Sequence, residues 1–141
     1  KPVVGIRTAS HAFGNDDNQI FDRKVLGGNY SGHFGGEAVI VSTAENAADH
    51  PVLAGVGSIT SRKMYKAGPL SKDAVLLQNG RIEGKDATHA VTWLHEYNGG
   101  RMFYTSLGVP GDFQDEDFKR MIINAIFWTT RRDASQYRTV P

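Results

Sequence analysis

Short apolar runs, separated by polar or glycine-rich stretches, recur along the chain. The run Val3–Ile6 has no polar side chain, which is typical of a strand buried on both faces of a parallel sheet. Similar runs predict strands over residues 38–41, 74–77, 90–94 and 101–105, and a less regular extended segment over 58–65. Turn residues at Asn79-Gly80 and over 98–100 predict two turns, the second of them within a β-hairpin.

Two segments have the 3–4 spacing of apolar residues that predicts a helix. The first follows a polar turn and covers roughly residues 18–26, with an apolar face of Ile20, Phe21, Val25 and Leu26. The second begins at Asp115 and Glu116 and ends at Arg131 and Arg132, charges that suit the two ends of a helix dipole. Its predicted apolar face contains Phe118, Met121, Ile122, Ala125, Ile126 and Thr129, next to Trp128.

The predicted order of elements is strand, helix, several strands and helix, an α/β arrangement with few helices for its strands. Because parallel sheets have helices on both faces, we expect the chain to be part of a larger layered structure. Its start at Lys1, directly before a strand, also suggests that an N-terminal part is missing. An open sheet edge is adhesive, so we expect the missing N-terminal segment or another subunit to cover it.

Length, composition and charge narrow the class of protein. The 141 residues suit one domain, assigned to residues 1–132, with 133–141 as a tail or linker. Hydrophobic residues at 40% and charged residues at 22% are ordinary for a globular protein and exclude disorder or a coiled coil. Lys+Arg total 16 and Asp+Glu total 15, a balance that indicates no nucleic-acid partner. No apolar run approaches the roughly 20 residues of a membrane span, so a soluble protein is expected.

The sequence has no cysteine. Disulfides, zinc–thiolate sites and thiol nucleophiles are therefore excluded. Both cytoplasm and periplasm are compatible with this composition.

The turn after the first strand has the first candidate chemistry, because ligands in open α/β sheets bind beyond the carboxyl ends of strands. Arg7 needs a partner there, either an acidic side chain or a bound anionic or sugar oxygen. Thr8 and Ser10 either bind such a ligand or cap the following backbone. Ser10 beside His11 also has the residue types of a serine hydrolase, although the chain has no Gly-x-Ser-x-Gly elbow.

Residues 27–36 include five glycines, so the backbone there turns tightly or lies close to a ligand. Tyr30 and His33 could then line a polyol site through stacking and hydrogen bonds. The alternative is a flexible surface loop with a solvated His33. Gly35-Gly36 does not fit a phosphate-binding loop, because no Lys-Ser/Thr follows.

The five histidines raise the question of a metal site. His11, His33 and His50 lie in predicted loops that could converge, and with a carboxylate they would hold a divalent metal such as zinc. His50 is equally explained as a turn residue before proline. His89 and His95 flank a strand, so both are expected on one face and at the surface.

Ser106 ends the last predicted strand and therefore lies at the sheet edge expected to bind a ligand. The aromatic residues of the last strands and the last helix are expected in the core: Trp93, Tyr104, Phe118, Phe127 and Trp128.

Short motifs in a fixed order cover nearly the whole chain: KPVVGIRTASH at 1–11, LGGNYSGH at 26–33, HPVL at 50–53, AVTW at 90–93, GRMFYTSLG at 100–108, DF at 112–113 and NAIFW at 124–128. Together they resemble the ThuA-like family, named for trehalose utilisation. The resemblance implies a three-layer α/β/α sandwich, similar to flavodoxin-like and class I glutamine amidotransferase folds. This chain would be the C-terminal portion of such a domain.

Two positions depart from the family pattern. Val109 stands where many relatives have a histidine, and residues 61–64 lack the acidic pair that many relatives have before Tyr65. A role that depends on that histidine or that acid is therefore absent from these positions.

The resemblance also implies a carbohydrate-processing domain that acts on an oxidised sugar or polyol. We expect proton transfer next to a sugar carbonyl, as in an isomerase or epimerase, with His33 or His11 as the base. Arg7 would polarise the oxygen that gains charge. The alternative is a non-catalytic binding or structural module within a larger assembly. The residues expected to bind the substrate are Thr8, Ser10, Tyr30, His50 and Ser106.

Overall fold

The computed structural model describes residues 1–13 and 20–134. These residues form a mixed α/β domain of eight strands, one α-helix and several short helical turns. The strands are β1 (Val3–Ile6), β2 (Gly32–His33), β3 (Val39–Thr43), β4 (Thr60–Ser61), β5 (Tyr65–Lys66), β6 (Val75–Ile82), β7 (Thr88–Tyr97) and β8 (Gly100–Thr105). The α-helix is α1 (Glu116–Thr129), and shorter turns cover Arg7–His11, Phe21–Leu26, Pro51–Leu53 and Pro110–Gln114.

The main sheet has six strands in the order β1-β8-β7-β6-β3-β4, and β2 pairs with β5 in a small separate sheet. Only β1 and β8 are parallel; the other pairs are antiparallel. The α/β class with few helices is thus confirmed, but the flavodoxin-like layering is not seen in the described residues. The outer edge of β1 is unpaired among them, and its coverage by a further segment or subunit stays a prediction.

Helix α1 begins where the acidic pattern predicts. The Asp115 side chain accepts hydrogen bonds from the backbone N–H groups of Asp117 and Phe118, at 2.8 and 3.3 Å. This N-cap satisfies donors that the first helical turn leaves without a partner. The buried face of α1 then consists of Phe118, Met121, Asn124, Ala125 and Thr129. Ile126, predicted on this face, is instead 47% exposed.

Strand β6 (Val75–Ile82) is longer than the predicted strand over residues 74–77. Asn79-Gly80, expected to turn, lies inside β6. The reason is packing, because a Cβ at Gly80 would lie 2.6 Å from Val91 Cγ1 and 2.8 Å from Met64 Sδ. The predicted hairpin turn before Gly100 is confirmed, with Asn98 and Gly99 both at positive φ.

The main sheet buries different side chains on its two faces. Leu94 and Phe103 pack with Phe118 and Met121 of α1, in the larger apolar cluster. Trp93 and Tyr104 alternate with them and form a second cluster with Leu26, Tyr65 and Ala67. We call these the helix face and the aromatic face.

The first predicted helix covers the aromatic face only in part. Residues Phe21–Leu26 form a π-helical turn that ends at Gly27, which has the left-handed φ of 75°. The Trp93 Nε1–H donates to Leu26 O at 2.7 Å and fixes this turn on the sheet. The beginning of the predicted helix, at 18–19, lies outside the described residues, as does the tail from 135.

Candidate functional site

The parallel pairing of β1 and β8 defines one edge of the sheet. Ile6 lies opposite Thr105, so Arg7 and Ser106 follow their strands at the same edge. The chain then turns through Arg7–His11. Candidate residues from both strands therefore meet at the carboxyl edge, as expected for a ligand site.

Arg7 is held in an unusual conformation there. Its φ is +52°, in the left-handed region that non-glycine residues rarely adopt. The Tyr104 hydroxyl donates to the Arg7 carbonyl at 2.8 Å, and the guanidinium lies 4.9 Å from the centre of the Tyr65 ring. Its Nη1 is buried without a hydrogen-bond partner among the described residues. Such strain with an unsatisfied buried cation is typical of functional positions.

Three rings form the wall beside Arg7. The His11 ring stacks on Tyr30 at 4.1 Å, with 22° between the planes, and meets Tyr65 edge-on at 5.3 Å. Tyr30 and Tyr65 meet at 5.0 Å. His33 joins them through the Tyr30 hydroxyl, 3.4 Å from its Nδ1, and pairs with Tyr65 across β2 and β5. The structure thus brings Arg7, His11, Tyr30 and His33 together.

The electrostatics of this cluster favour a neutral imidazole. Burial, followed by the charges of Arg7 and His33, lowers the pKa of His11 below its ordinary 6.5. His11 is therefore deprotonated near neutral pH and is able to accept a proton. Burial also raises the pKa of the Tyr65 phenol, so the ring stays uncharged.

Ser10 does not have the setting of a nucleophile. It is 4% exposed, its Oγ lies 3.4 Å from His11 Nδ1, and it hydrogen-bonds the Tyr104 phenol. Its hydroxyl is thus engaged with neighbouring side chains at this turn. Thr8, by contrast, is exposed at the same turn.

Asp22 is a buried acid that is not among the predicted site residues. It is 2% exposed, and its Oδ2 accepts from the Tyr30 backbone N–H at 3.0 Å, while Oδ1 has no partner in the described part of the chain. Burial raises the pKa of Asp22 from 3.8 to about 6. Its charge also acts on the Tyr104 phenol, which places it at the base of the cluster.

Tyr65 and Tyr104 are also not among the site residues predicted from the sequence. Tyr104 was correctly expected in the core, and its hydroxyl reaches the site only because β1 lies beside β8. One signal could have found Asp22. It stands three and four residues before Val25 and Leu26, so a helical turn places a carboxylate on the apolar face.

The glycine-rich loop approaches protein side chains at its start. A Cβ at Gly27 would lie 2.7 Å from His95 Cγ, and a Cβ at Gly28 would lie 2.5 Å from Trp93 Cζ2. These two glycines let the loop lie directly on the sheet. Gly32, beside His33, has nothing within 4 Å of its ideal Cβ and a φ of +138°.

The expectation that His95 lies at the surface is wrong. His95 is 7% exposed, and its Nδ1 lies 2.9 Å from Val25 O. Its Nε2 lies 3.4 Å from an oxygen of the exposed Asp73. His95 therefore fixes the π-helical turn to β7, which explains its burial. His89 is half-buried and packs on Phe34 at 4.7 Å.

Of the two other predicted site residues, His50 lies apart from the ring cluster, whereas Ser106 lies at the same sheet edge as Arg7. His50 packs against Trp128 at 5.4 Å, and its Nδ1 accepts from the Val52 backbone N–H. Burial and the charge of Arg101 lower the pKa of His50. Ser106 is fully buried, with an Oγ that has no partner among the described residues.

The metal site considered for three loop histidines does not form in the described part of the chain. His50 lies with Trp128 rather than with His11 and His33. No group of three or more histidine or carboxylate side chains is placed to hold an ion within residues 1–13 and 20–134.

A second buried carboxylate organises the loop after β8. Asp112 Oδ2 accepts from the Ser61 hydroxyl at 2.8 Å and from the Gly108 and Val109 backbone N–H groups at 2.7 and 3.1 Å. The two regions that depart from the family pattern therefore meet at one carboxylate. In this chain the meeting point is structural, since neither Ser61 nor Val109 supplies an acid or an imidazole.

No helix within the described residues is long and apolar enough to cross a membrane.

Several solved structures share this fold. A ThuA-like protein from Bacteroides uniformis has a TM-score of 0.70 and 21% identity, over 95% of this chain and 60% of that one. A ThuA-like protein from Parabacteroides merdae has a TM-score of 0.69 and 15% identity, over 99% and 63% of the two chains. A cytoplasmic protein from Salmonella typhimurium has a TM-score of 0.61 and 13% identity, over 89% and 53%.

The chain thus spans between 53% and 63% of the length of these three structures. No curated protein matches it. The family model described as trehalose utilisation matches residues 1–129, which include β1, the ring cluster and all of α1. This chain is therefore a member of the ThuA family.

Proposed function

We propose that the cluster around Arg7 binds the carbonyl form of a sugar and transfers a proton at the carbon next to that carbonyl. The buried Arg7 Nη1 supports this proposal most. It has no hydrogen-bond partner among the described residues, and the neutral imidazole of His11 lies beside Arg7. An unsatisfied buried donor costs about 1–3 kcal/mol, more when charged, so it is retained where a ligand satisfies it. The carbohydrate-related family description agrees with a sugar as that ligand.

Each residue has a separate task in this proposal. Arg7 donates to the sugar carbonyl oxygen. His11 accepts the proton from the neighbouring carbon, and its stacking on Tyr30 holds the imidazole in one orientation. Tyr30, which is half-buried, offers apolar surface to the C–H groups of the sugar ring. Thr8 and His33, both exposed, would bind sugar hydroxyls.

The proposed reaction conserves all atoms. The C–H bond beside the carbonyl breaks, its electron pair forms a carbon–carbon double bond, and the carbonyl becomes an enolate oxygen facing Arg7. The hydroxyl proton on the carbon that lost its hydrogen passes to the enolate oxygen, and the histidinium protonates the former carbonyl carbon. This gives the isomeric sugar and the neutral imidazole. Because the Arg7 Nη1 is buried and already in place, it stabilises the enolate without a rearrangement.

Deuterium incorporation from D₂O tests this reaction directly. The chain is incubated with a ketosugar, and NMR measures exchange at the carbon next to the carbonyl. We expect exchange in the unmodified chain, and a loss of about 100-fold or more in His11→Gln, as for removal of a general base. Arg7→Gln should lose a similar factor.

His89→Gln is the matched control, because His89 packs on Phe34 outside the ring cluster. It should exchange at the unmodified rate. If His11→Ala and His33→Ala both exchange at the unmodified rate, the acid–base role is wrong.

The second candidate, a non-catalytic sugar-binding module, is favoured by the structural use of Ser61 and Val109 described above. It predicts that the ketosugar binds at the ring cluster without any deuterium incorporation. It also predicts an affinity that is constant from pH 5 to pH 8, because no titrating base takes part.

A further inference from the structure

A separate cleft lies on the helix face, where the end of α1 meets the turn Pro51–Leu53 and the start of β8. Its volume is about 660 Å³, within the range of small-molecule sites. Arg101 stands at the beginning of β8, whereas Arg7 follows the end of the parallel strand β1. The cleft and the ring cluster are therefore at opposite ends of this strand pair.

The lining of the cleft has a surplus of positive charge. Arg101, Arg131 and Arg132 line it, and Asp133 is the single carboxylate among the described residues of the lining. The two ion pairs within the described residues, His95–Asp73 and Lys119–Glu116, involve none of these arginines. The helix dipole accounts for the cations just after α1, whereas the start of β8 brings Arg101 beside them.

Arg101 is also held in position. Its guanidinium lies 4.7 Å from the centre of the Trp128 ring, and its Nη1 donates to the Trp128 carbonyl at 3.0 Å. His50 contacts the same indole ring at 5.4 Å. A guanidinium has five N–H donors in a planar fork, so this anchoring leaves donors for an anion with two oxygens.

Another part of the lining is also fixed by hydrogen bonds. The Asn124 amide donates to Val52 O and Ala54 O, at 3.1 and 3.0 Å, which ties α1 to the turn that lines the cleft. Pro51 and Phe127 add apolar surface beside the charges. The cleft therefore combines a rigid cationic end with an apolar wall.

We propose that this cleft binds a small phosphate ester, with its dianionic head on the three arginines and its organic part on Pro51 and Phe127. A phosphate dianion balances the two surplus positive charges of the lining, and its oxygens match the guanidinium fork. The site is independent of the sugar chemistry proposed for the ring cluster.

A titration with phenyl phosphate tests this proposal. NMR of the two indole N–H signals, from Trp93 and Trp128, measures its binding. We expect the Trp128 signal to move with saturable binding and the buried Trp93 signal to stay. Arg101→Gln should raise the Kd about tenfold or more, and the exposed pair Arg131→Gln/Arg132→Gln should do the same if the Arg101 variant folds poorly. Arg101→Lys should be intermediate, because it keeps the charge and loses the fork.

Arg120→Gln is the control, because Arg120 is on α1 and lines a neighbouring cleft but not this one. It removes the same charge and should change the Kd less than about twofold. Equal weakening by Arg120→Gln would mean general charge attraction and would overturn the site. A Trp128 signal that does not move at about 10 mM phenyl phosphate would also overturn the proposed phosphate site. Deuterium exchange of the ketosugar should be unchanged in Arg101→Gln, so the two proposals fail separately.

Discussion

The two faces of the main sheet use buried polar groups in opposite ways. On the helix face, Phe103 packs with Phe118 and Met121, and the buried Asn124 amide is hydrogen-bonded. On the aromatic face, Arg7 Nη1 and Asp22 Oδ1 are buried without partners among the described residues. Polar groups that folding leaves unsatisfied lower the stability of a protein. The helix face therefore contributes stability, whereas the aromatic face contains the unsatisfied groups on which the proposed ligand site depends.

The largest expected effect is on the helix face. Phe118→Ala removes a fully buried ring between α1 and the sheet and should lower the free energy of unfolding by about 3–5 kcal/mol. Urea unfolding measures this. Tyr65→Phe, on the aromatic face, should change it by less than about 1 kcal/mol. An equal effect of both variants would contradict the division of tasks between the faces.

Asp22 tests whether the aromatic face opposes folding. Because its pKa is raised from 3.8 to about 6, the folded state binds the proton more tightly than the unfolded state. The associated stability is present below pH 3.8 and is lost as the pH rises through about 6. Relative to Asp22→Asn, the unmodified chain should therefore lose up to about 3 kcal/mol between pH 4 and pH 7. Urea unfolding of both proteins across this range measures the difference; a constant difference would contradict the raised pKa.

Asp112 is the satisfied counterpart of Asp22. Its Oδ2 accepts from three donors, and it is 4% exposed. Asp112→Asn should lower the free energy of unfolding by about 2 kcal/mol at pH 7, because hydrogen bonds to a charged acceptor are lost. Ser61→Ala, which removes one donor, should lower it by about 1 kcal/mol. Thermal unfolding that ranks the two variants in the reverse order would show that the carboxylate does not organise this loop.

The smallest effect is expected at Ser106. Its buried hydroxyl has no partner within the described residues, so Ser106→Ala should leave stability unchanged or raise it by about 1 kcal/mol. The same variant tests the sequence-based expectation that Ser106 binds substrate. Ketosugar binding measured by calorimetry should weaken if the hydroxyl meets the ligand. Unchanged binding would remove Ser106 from the site.

Local patterns were enough to predict much of the fold. The acidic residues Asp115 and Glu116 located the start of α1, although Asp115 is its N-cap rather than part of its first turn. Positive φ at Asn98 and Gly99 agrees with the predicted hairpin. Asn79-Gly80 failed because its glycine is required by packing against Val91, a contact that no local pattern shows. The same holds for His95, whose burial depends on the docking of residues 21–26.

The candidate site was predictable where it depends on one strand and the turn after it. Arg7 and His11 follow from the rule on strand ends, and Tyr30 and His33 from the glycine-rich loop. His50 was grouped with them by residue type, whereas its position depends on the packing of α1. Asp22 enters the site only because its turn lies on the sheet.

The position at which a ketosugar binds is the most direct test of the account. NMR of the histidine ring signals during a ketosugar titration measures it. We expect the His11 and His33 signals to move with one common Kd, and the His50 and His89 signals to stay. Movement of His50 with no movement of His11 and His33 would place the sugar in the cleft beside Trp128 and contradict the assignment of the site to the ring cluster.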